Sequence, residues 1–300
     1  MKHIFVVNPK AGKNDATEKM AGLVSLLDDS VDKEIYVTKG IRDAERYVRW
    51  YSDTNGDERV RFYACGGDGT INEVVSGVVG KPNAEVTVLP VGSGNDYVKY
   101  YGGRDVFLDI RKLVAGEVKE VDVMRVNDRY SLNVCNFGFD AMVCKTMIQV
   151  RRKWLIGGRN AYTTGIVKAL FKGRRTYCRI SVDGKIVNDG DILLCTLGNG
   201  RYVGGAYQCS PRSLNDDGLI EICFFSPISV LRFVRLLKPY RDGSFIDRDD
   251  LQDIMTYMQG RRIDIESHEA IDLCVDGEMM YDNCYHIEQL PKAINFVVPR

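Results

Sequence analysis

The stretch Tyr63–Val74, YACGGDGTINEV, constrains the fold more than any other part of the chain. The apolar run VRFYAC (60–65) stops at Gly66-Gly67, and a helical pattern begins almost at once. Glycine tolerates positive φ and lets a ligand touch the main chain. Successive backbone N–H groups that lead into a helix N-terminus form an anion site. Thr70 and Glu73 have the spacing of a capping box, which sets a helix start at this point.

The first third of the sequence repeats this strand-then-helix alternation. HIFVVN (3–8), EIYVT (34–38), VRFYAC (60–65) and EVTVLP (85–90) read as strands. Helical spacing occupies 14–28, with Met20, Leu23, Val24 and Leu27 on one face, then 41–51 and 71–79. Such alternation predicts a parallel sheet with helices on both faces, and ligands beyond the carboxyl ends of its strands. After about residue 120 the style changes to strands with few helices: EVDVMRV, YSLNVCNFG, YCRISVDG, DILLCTLG and LIEICFF. Helix candidates interrupt them at 141–153 and 159–172, and further strands are expected at 262–267, 271–275, 285–289 and 293–298. The fold class expected is therefore α/β followed by a mostly antiparallel β domain, with a soft boundary near residue 123.

Composition narrows the class. Lys+Arg and Asp+Glu both total 41, so overall charge selects no partner. The nine cysteines contain no C-x-x-C pair and have no zinc spacing with His3, His268 and His286. They sit mostly in apolar runs, as buried thiols of a reducing cytosol do. The N-terminus MKHIFVVNPK reads as a strand and not as a signal peptide, and SVLRFVRLLKPY is interrupted by arginines. A cytoplasmic protein is expected, with any membrane contact peripheral.

Three turns at the expected sheet edge carry the chemistry: Asn8–Lys13, Gly66–Asn72 and Pro90–Asp96. One glycine-rich turn alone is an even choice between a ligand cradle and an ordinary turn. Three at one edge, two of them holding Asp, favour the cradle. No G-x-x-x-x-G-K-[ST] is present and no G-x-G-x-x-G follows the first strand, which argues against a P-loop and a dinucleotide dehydrogenase. Asp68 and Asp96 beside phosphates call for Mg²⁺, which takes one or two carboxylates and keeps water. Asp122, in KEVDVM, is a third candidate, and a solvated or capping Asp is an equal reading for it.

These residues resemble the diacylglycerol kinase catalytic family, in particular its soluble bacterial lipid kinases. The resemblance is carried by Asn8–Gly12, Gly66–Val74 and Pro90–Asp96, and continues through NFGFD (136–140), GNGRYVGG (198–205), DDGLIE (216–221) and VDGE (275–278). It implies an N-terminal ATP-binding domain over 1–123, similar to the phosphofructokinase and NAD kinase nucleotide domain. It also implies a β-sandwich acceptor domain over 124–289, with the last strand, about 290–300, returning to the first. ATP would rest on Gly66, Gly67, Asp68, Gly69, Thr70, Ile71 and Asn72, with Asn8, Lys10, Gly12, Thr38, Ser93 and Asn95 alongside. Asp68, Asp96 and Asp122 would hold Mg²⁺ largely through water. Asp276 and Glu278 would supply the base for an acceptor hydroxyl, either one being eligible. A structural Mg²⁺ would use Asp217 and the carbonyls of Leu214 and Leu219. Without the resemblance, VDGE and NDDG are common turn sequences. Ser93 stands where threonine is commoner, and GNGRYVGGAYQ has two glycines where many members have three.

Residues 141–182 contain no Asp or Glu but ten Lys and Arg, with Trp154, Leu155, Tyr162, Leu170 and Phe171 among them. The cations are Lys145, Arg151, Arg152, Lys153, Arg159, Lys168, Lys172, Arg174, Arg175 and Arg179. Such a segment suits an anionic membrane surface, the alternative being a solvated helical face. No nucleic-acid motif accompanies it. The expected activity is transfer of phosphate from ATP to a lipid hydroxyl such as that of diacylglycerol. The rivals are an NAD kinase-like or other alcohol kinase, and an inactive nucleotide- or lipid-binding regulator. The sequence leaves monomer and homodimer both open.

Overall fold

The computed structural model describes residues 1–12, 15–152 and 175–300, with the backbone alone over 147–152. Four short parallel strands open the chain: β1 (Lys2–Val7), β2 (Lys33–Val37), β3 (Val60–Gly66) and β4 (Ala84–Pro90). β3 and β4 are buried along their whole length, as expected for strands covered on both faces. Helices α1 (Ala16–Val24), α2 (Asp43–Thr54) and α3 (Asp68–Val78) alternate with them. Met20, Val24 and Leu27 of the first apolar stripe are buried in a core with Val48, Phe62 and Ile71.

A short helix, α4 (Ile110–Val114), leads into β5 (Glu117–Val126), which runs unbroken through residue 123. Next come β6 (Arg129–Ser131), β7 (Val134–Gly138) and helix α5 (Phe139–Arg152). The expected helix 141–153 is thus present, and the one at 159–172 lies outside the described residues. The second half holds β8 (Thr176–Val182), β9 (Lys185–Ile192), β10 (Leu194–Gly198), β11 (Ile220–Phe225), helix α6 (Val230–Asp242) and β12 (Met255–Gly260). The chain closes with β13 (Arg262–Val275) and β14 (Glu278–Val298).

Four expected strands at the end of the chain are therefore two. β13 carries its register shift between Glu266 and Ile271. β14 carries its own between Leu290 and Ile294, where Pro291 removes a ladder donor. The sequence pattern breaks at those points, but the backbone continues through them.

Among the described residues the strand order is β2-β1-β3-β4-β14-β13-β7-β10-β11-β12, with β5 on β14, β6 on β5, and β8 and β9 on β13. β14 is the shared member. Its first half pairs antiparallel with β13, and its end runs parallel to β4 through Asn295 and Phe296. Val7 lies opposite Val37 and Cys65, and Gly66 lies opposite Pro90. This register brings the ends of β1, β2, β3 and β4 to one edge.

Candidate active site

At that edge the turns pack onto one another through bare backbone. The N–H groups of Val91 and Gly92 both donate to the Gly66 carbonyl, at 2.9 and 3.1 Å. A Cβ on Gly92 would stand 2.4 Å from the Cα of Gly67, so the two turns approach only because both residues are glycine. Gly12, at φ +87°, closes on the Val91 carbonyl from the other side. The Asn8 amide donates to Thr70 Oγ1 at 3.1 Å, tying the first turn to the second, and Thr38 N–H donates to the Val7 carbonyl at 2.9 Å. Lys10, Ser93 and Gly69 are exposed on this rim, and Ile71 is buried beneath it.

Helix α3 starts at Asp68 with Gly67 as its N-cap, three residues earlier than the expected cap at Thr70. The glycine pair allows this, because a Cβ on Gly66 would stand 2.1 Å from Thr70 Oγ1, and Gly67 at the N-cap supplies no side-chain hydrogen bond. The N–H groups of Thr70 and Ile71 donate to the Gly67 carbonyl, at 3.0 and 3.1 Å, which leaves those of Asp68 and Gly69 without a partner among the described residues. Glu73 is not the second half of a capping box. Its carboxylate accepts from the N–H groups of Arg42 and Ala44, at 3.0 and 3.2 Å, and so caps α2 instead. Arg42, in the left-handed region at φ 58°, has no capping side chain of its own. Burial raises the Glu73 pKa, and the two amides oppose that rise.

Asp68 and Asp96 meet here. Asp68 Oδ1 accepts from Asp96 N–H at 2.6 Å. Asp96 in turn accepts from Lys99 Nζ at 2.5 Å and from Gly205 N–H at 3.0 and 3.1 Å, so the GNGRYVGG loop reaches the site. Burial, followed by the charge of Asp96, pushes the Asp68 carboxyl up to about 6. Asp68 Oδ2 is reached across Gly94, where a Cβ would come within 2.6 Å. Asn95 is buried at φ 50°, and its Oδ1 has no hydrogen-bond partner among the described residues. The Asp68 and Asp96 carboxylates are oxygen donors of the type Mg²⁺ takes, whereas Asn95 Oδ1 lies between the turns, 3.0 Å from where a Cβ on Gly92 would stand.

Asp122 is not brought to this pair. It is fully buried, and its two oxygens accept from Lys292 N–H and Gly218 N–H, both at 2.7 Å. Its backbone is held as well, by the Asn215 carbonyl and the Asn199 side chain. Among the described residues no three His, Cys, Asp or Glu side chains converge as a metal site. Leu214, Asp217 and Leu219 lie on one loop ahead of β11. Asp217 Oδ1 accepts from Leu219 N–H at 3.0 Å, and burial raises its pKa, with Asp122 adding to the rise.

Asp276 and Glu278 flank Gly277 in the turn joining β13 and β14, with φ +46° at Asp276 and +92° at Gly277. The two acids have different environments. Asp276 accepts from the N–H groups of Leu132, Asn133 and Val134, at 2.7, 3.1 and 2.9 Å. It also accepts from Ser131 Oγ and from the Asn72 amide, both at 2.8 Å. Five donors converge on its two oxygens, so of the two candidate bases Asp276 is the more heavily hydrogen-bonded. The Asn72 bond joins the second turn to the β13–β14 hairpin. Glu278 is half exposed, with Arg129 Nη1 at 3.4 Å as its ion-pair partner.

Sequence reasoning missed the partners of these groups. Lys99 stands three residues after Asp96, a spacing that flags an ion pair on a helical turn. Gly205 closes the GNGRYVGG motif but its partner Asp96 is not signalled, and nothing in the sequence signals Ser131 or Arg129. Of the basic segment, Lys145 is paired with Asp272, Arg175 with Asp191 and Arg179 with Asp189. The side chains of Arg151 and Arg152, and all of Lys153, Trp154, Leu155, Arg159, Tyr162, Lys168, Leu170, Phe171, Lys172 and Arg174, lie outside the described residues.

Two family models divide the chain. The diacylglycerol kinase catalytic domain matches residues 2–126, and the YegS C-terminal NAD kinase beta sandwich-like domain matches 133–298. The second model spans more than half of the chain. The chain belongs to that YegS-type family and carries the diacylglycerol kinase catalytic domain ahead of it. Within that family, the "Probable lipid kinase YegS-like" protein of Shewanella frigidimarina is 29% identical over 84% of this chain and 81% of its own. The protein of that description from Citrobacter koseri is 29% identical over 99% of this chain and 95% of its own. A Bacillus anthracis crystal structure described as a diacylglycerol kinase shares the fold, with TM-score 0.72 and 21% identity, covering 99% of this chain and 96% of that one. Yeast NADH kinase complexed with NADH has TM-score 0.53 and 13% identity over 100% of this chain and 84% of its own. The family architecture of an α/β nucleotide-type domain with a β-sandwich is thus the architecture described above.

Proposed function

We propose that this chain is an ATP- and Mg²⁺-dependent lipid kinase that phosphorylates a lipid hydroxyl such as that of diacylglycerol. The observation that carries the reading is the Asn72–Asp276 bond. It sets the helix start above the glycine cradle against the hairpin that carries Glu278. The names of the family's bacterial relatives support the acceptor class.

Phosphoryl transfer needs positioning and charge stabilisation more than covalent help. The first-turn N–H groups of α3 and the rim at Gly12 and Ser93 receive the phosphates. Asp68 and Asp96 would hold Mg²⁺ largely through water, and the ion would offset phosphate charge when bound. Glu278, half exposed beside the cleft, takes the proton of the acceptor hydroxyl. Asp276 positions it by fixing the turn. On the loop 214–219, Asp217 and the carbonyls of Leu214 and Leu219 would hold a second, structural cation.

The test offers γ-labelled ATP with Mg²⁺ to the protein, together with diacylglycerol, other lipid alcohols in mixed micelles, and NAD. Label in a lipid is expected. Label in NAD alone rejects the acceptor class, and bound ATP with no label anywhere identifies a regulator.

A further inference from the structure

Helix α6 turns two kinds of side chain outward. Phe233, Leu236, Pro239 and Tyr240 are buried against the β half. On the opposite face Leu231 is 64% exposed and Val234 52%, with Val230 beside them at 46%. Scattered exposed apolar residues need no explanation, but a contiguous set at the start of one helix does. Arg235, Lys238 and Arg241 continue the outward stripe at helical spacing, all exposed.

The charges near α6 sort into matched and surplus. Arg232 holds Asp253 at 2.9 and 2.5 Å, and Arg248 holds Asp250 at 2.7 and 2.6 Å. Asp242 is taken by Ser244, Asp247 by Arg212 and Asp249 by Gln252. The side chains of Arg235, Lys238 and Arg241 make no hydrogen bond or close ion pair among the described residues, and of the three only Lys238 has an acid nearby, Asp242, on which its charge acts. The acids are engaged, Arg235 and Arg241 are left over and Lys238 is opposed only by an Asp242 already bonded to Ser244, next to exposed leucine and valine.

The helix also ends beside the cleft. The Arg241 carbonyl accepts from Gln208 N–H at 3.0 Å. Gln208 follows the loop closed by Val203 and Tyr207, and Gly205 in that loop donates to Asp96.

We propose that α6 docks the protein on an anionic bilayer. Leu231 and Val234 enter the boundary between headgroups and acyl chains, and Arg235, Lys238 and Arg241 meet the lipid phosphates. The purpose, presenting the cleft to a membrane-borne acceptor, rests on the lipid-kinase reading; the docking itself is measured without turnover.

Flotation with vesicles of phosphatidylcholine, alone or with about 30 mol% phosphatidylglycerol, tests it. Binding to the anionic vesicles is expected, weakening as salt rises. The double variants Leu231→Ser/Val234→Ser and Arg235→Ser/Lys238→Ser should each lower partitioning roughly tenfold. Both should keep wild-type turnover on a water-soluble short-chain acceptor. If no acceptor is ever phosphorylated but anionic vesicles still bind, the kinase reading fails and the docking stands. Equal partitioning of wild type and variants overturns the docking, as does equal binding to phosphatidylcholine alone. A dimer that light scattering shows to dissociate in the Leu231→Ser/Val234→Ser variant also overturns it, by giving the face to a second copy. Should the double variants melt early, Val234→Trp reads the same contact. Quenching by brominated lipid beyond that of the wild type supports the proposal, and its absence overturns it.

Discussion

Asp276 gathers five hydrogen bonds on two oxygens, while Glu278, two residues on, has one distant arginine. The two acids should therefore separate in mutagenesis. Glu278→Gln is expected to lower kcat strongly with the melting temperature and ATP affinity unchanged, as single-turnover kinetics and nucleotide titration would show. Asp276→Ala leaves three amides unpaired and should lose about 3 kcal/mol of stability in urea unfolding, with activity falling as a consequence. An Asp276→Ala protein with full stability would return that residue to the chemistry. A separate residue sets the acid response. His3 is buried with Nδ1 2.8 Å from the Tyr63 hydroxyl. Burial, then the Arg61 charge, lowers its pKa from 6.5 to about 4. At His3 the folded state thus binds fewer protons than the unfolded chain between these values, while the raised carboxyl of Asp68 acts in the opposite sense. The stability involved is complete above pH 6.5 and is lost as pH falls toward 4, on the order of 2 kcal/mol. His3→Gln should flatten the unfolding free energy across that window.

Among the elements, the strand ends were the most legible and the helix caps the least. The alternation of apolar runs with helical spacing located β1 to β4 and α1 to α3 within a few residues, because parallel strands are buried on both faces and helices on one. The glycine turns announced a close approach but not its partner. The pairing of Gly67 with Gly92 depends on the register of β3 with β4, which no local pattern encodes. Gly92→Ala should therefore act as a double lesion. It is expected to cost about 2–3 kcal/mol and to weaken nucleotide binding, since the new methyl pushes Gly67 away. Thermal melts with and without ATP would measure both effects. Glu73 looked like the partner of Thr70, because a capping box is defined by spacing alone. Three-dimensional proximity gave it to the start of α2. Glu73→Ala should cost about 1 kcal/mol, read as a lower urea midpoint, and leave the α3 start intact.

At the scale of the molecule, the two-part architecture was legible in the change of style near residue 120, and the binding edge in its three turns. The way the halves are joined was not, because it depends on pairings between residues far apart in sequence. Asp122 looked like a third metal carboxylate, yet it is the fastener between β5, the loop at Gly218 and the bulge at Lys292. Asp122→Ala should lower stability by about 3 kcal/mol in metal-free buffer, with one cooperative transition moving as a whole. A loss that appears only when Mg²⁺ is present would instead put Asp122 at the metal. The long β14 has a mechanical corollary. A ribbon hydrogen-bonded to β13 at its start and laid between β4 and β5 at its finish cannot serve as a slack tether. Any breathing of the cleft must flex this shared spine, and the short irregular step between Leu290 and Ile294 is the place where its ladder yields most cheaply.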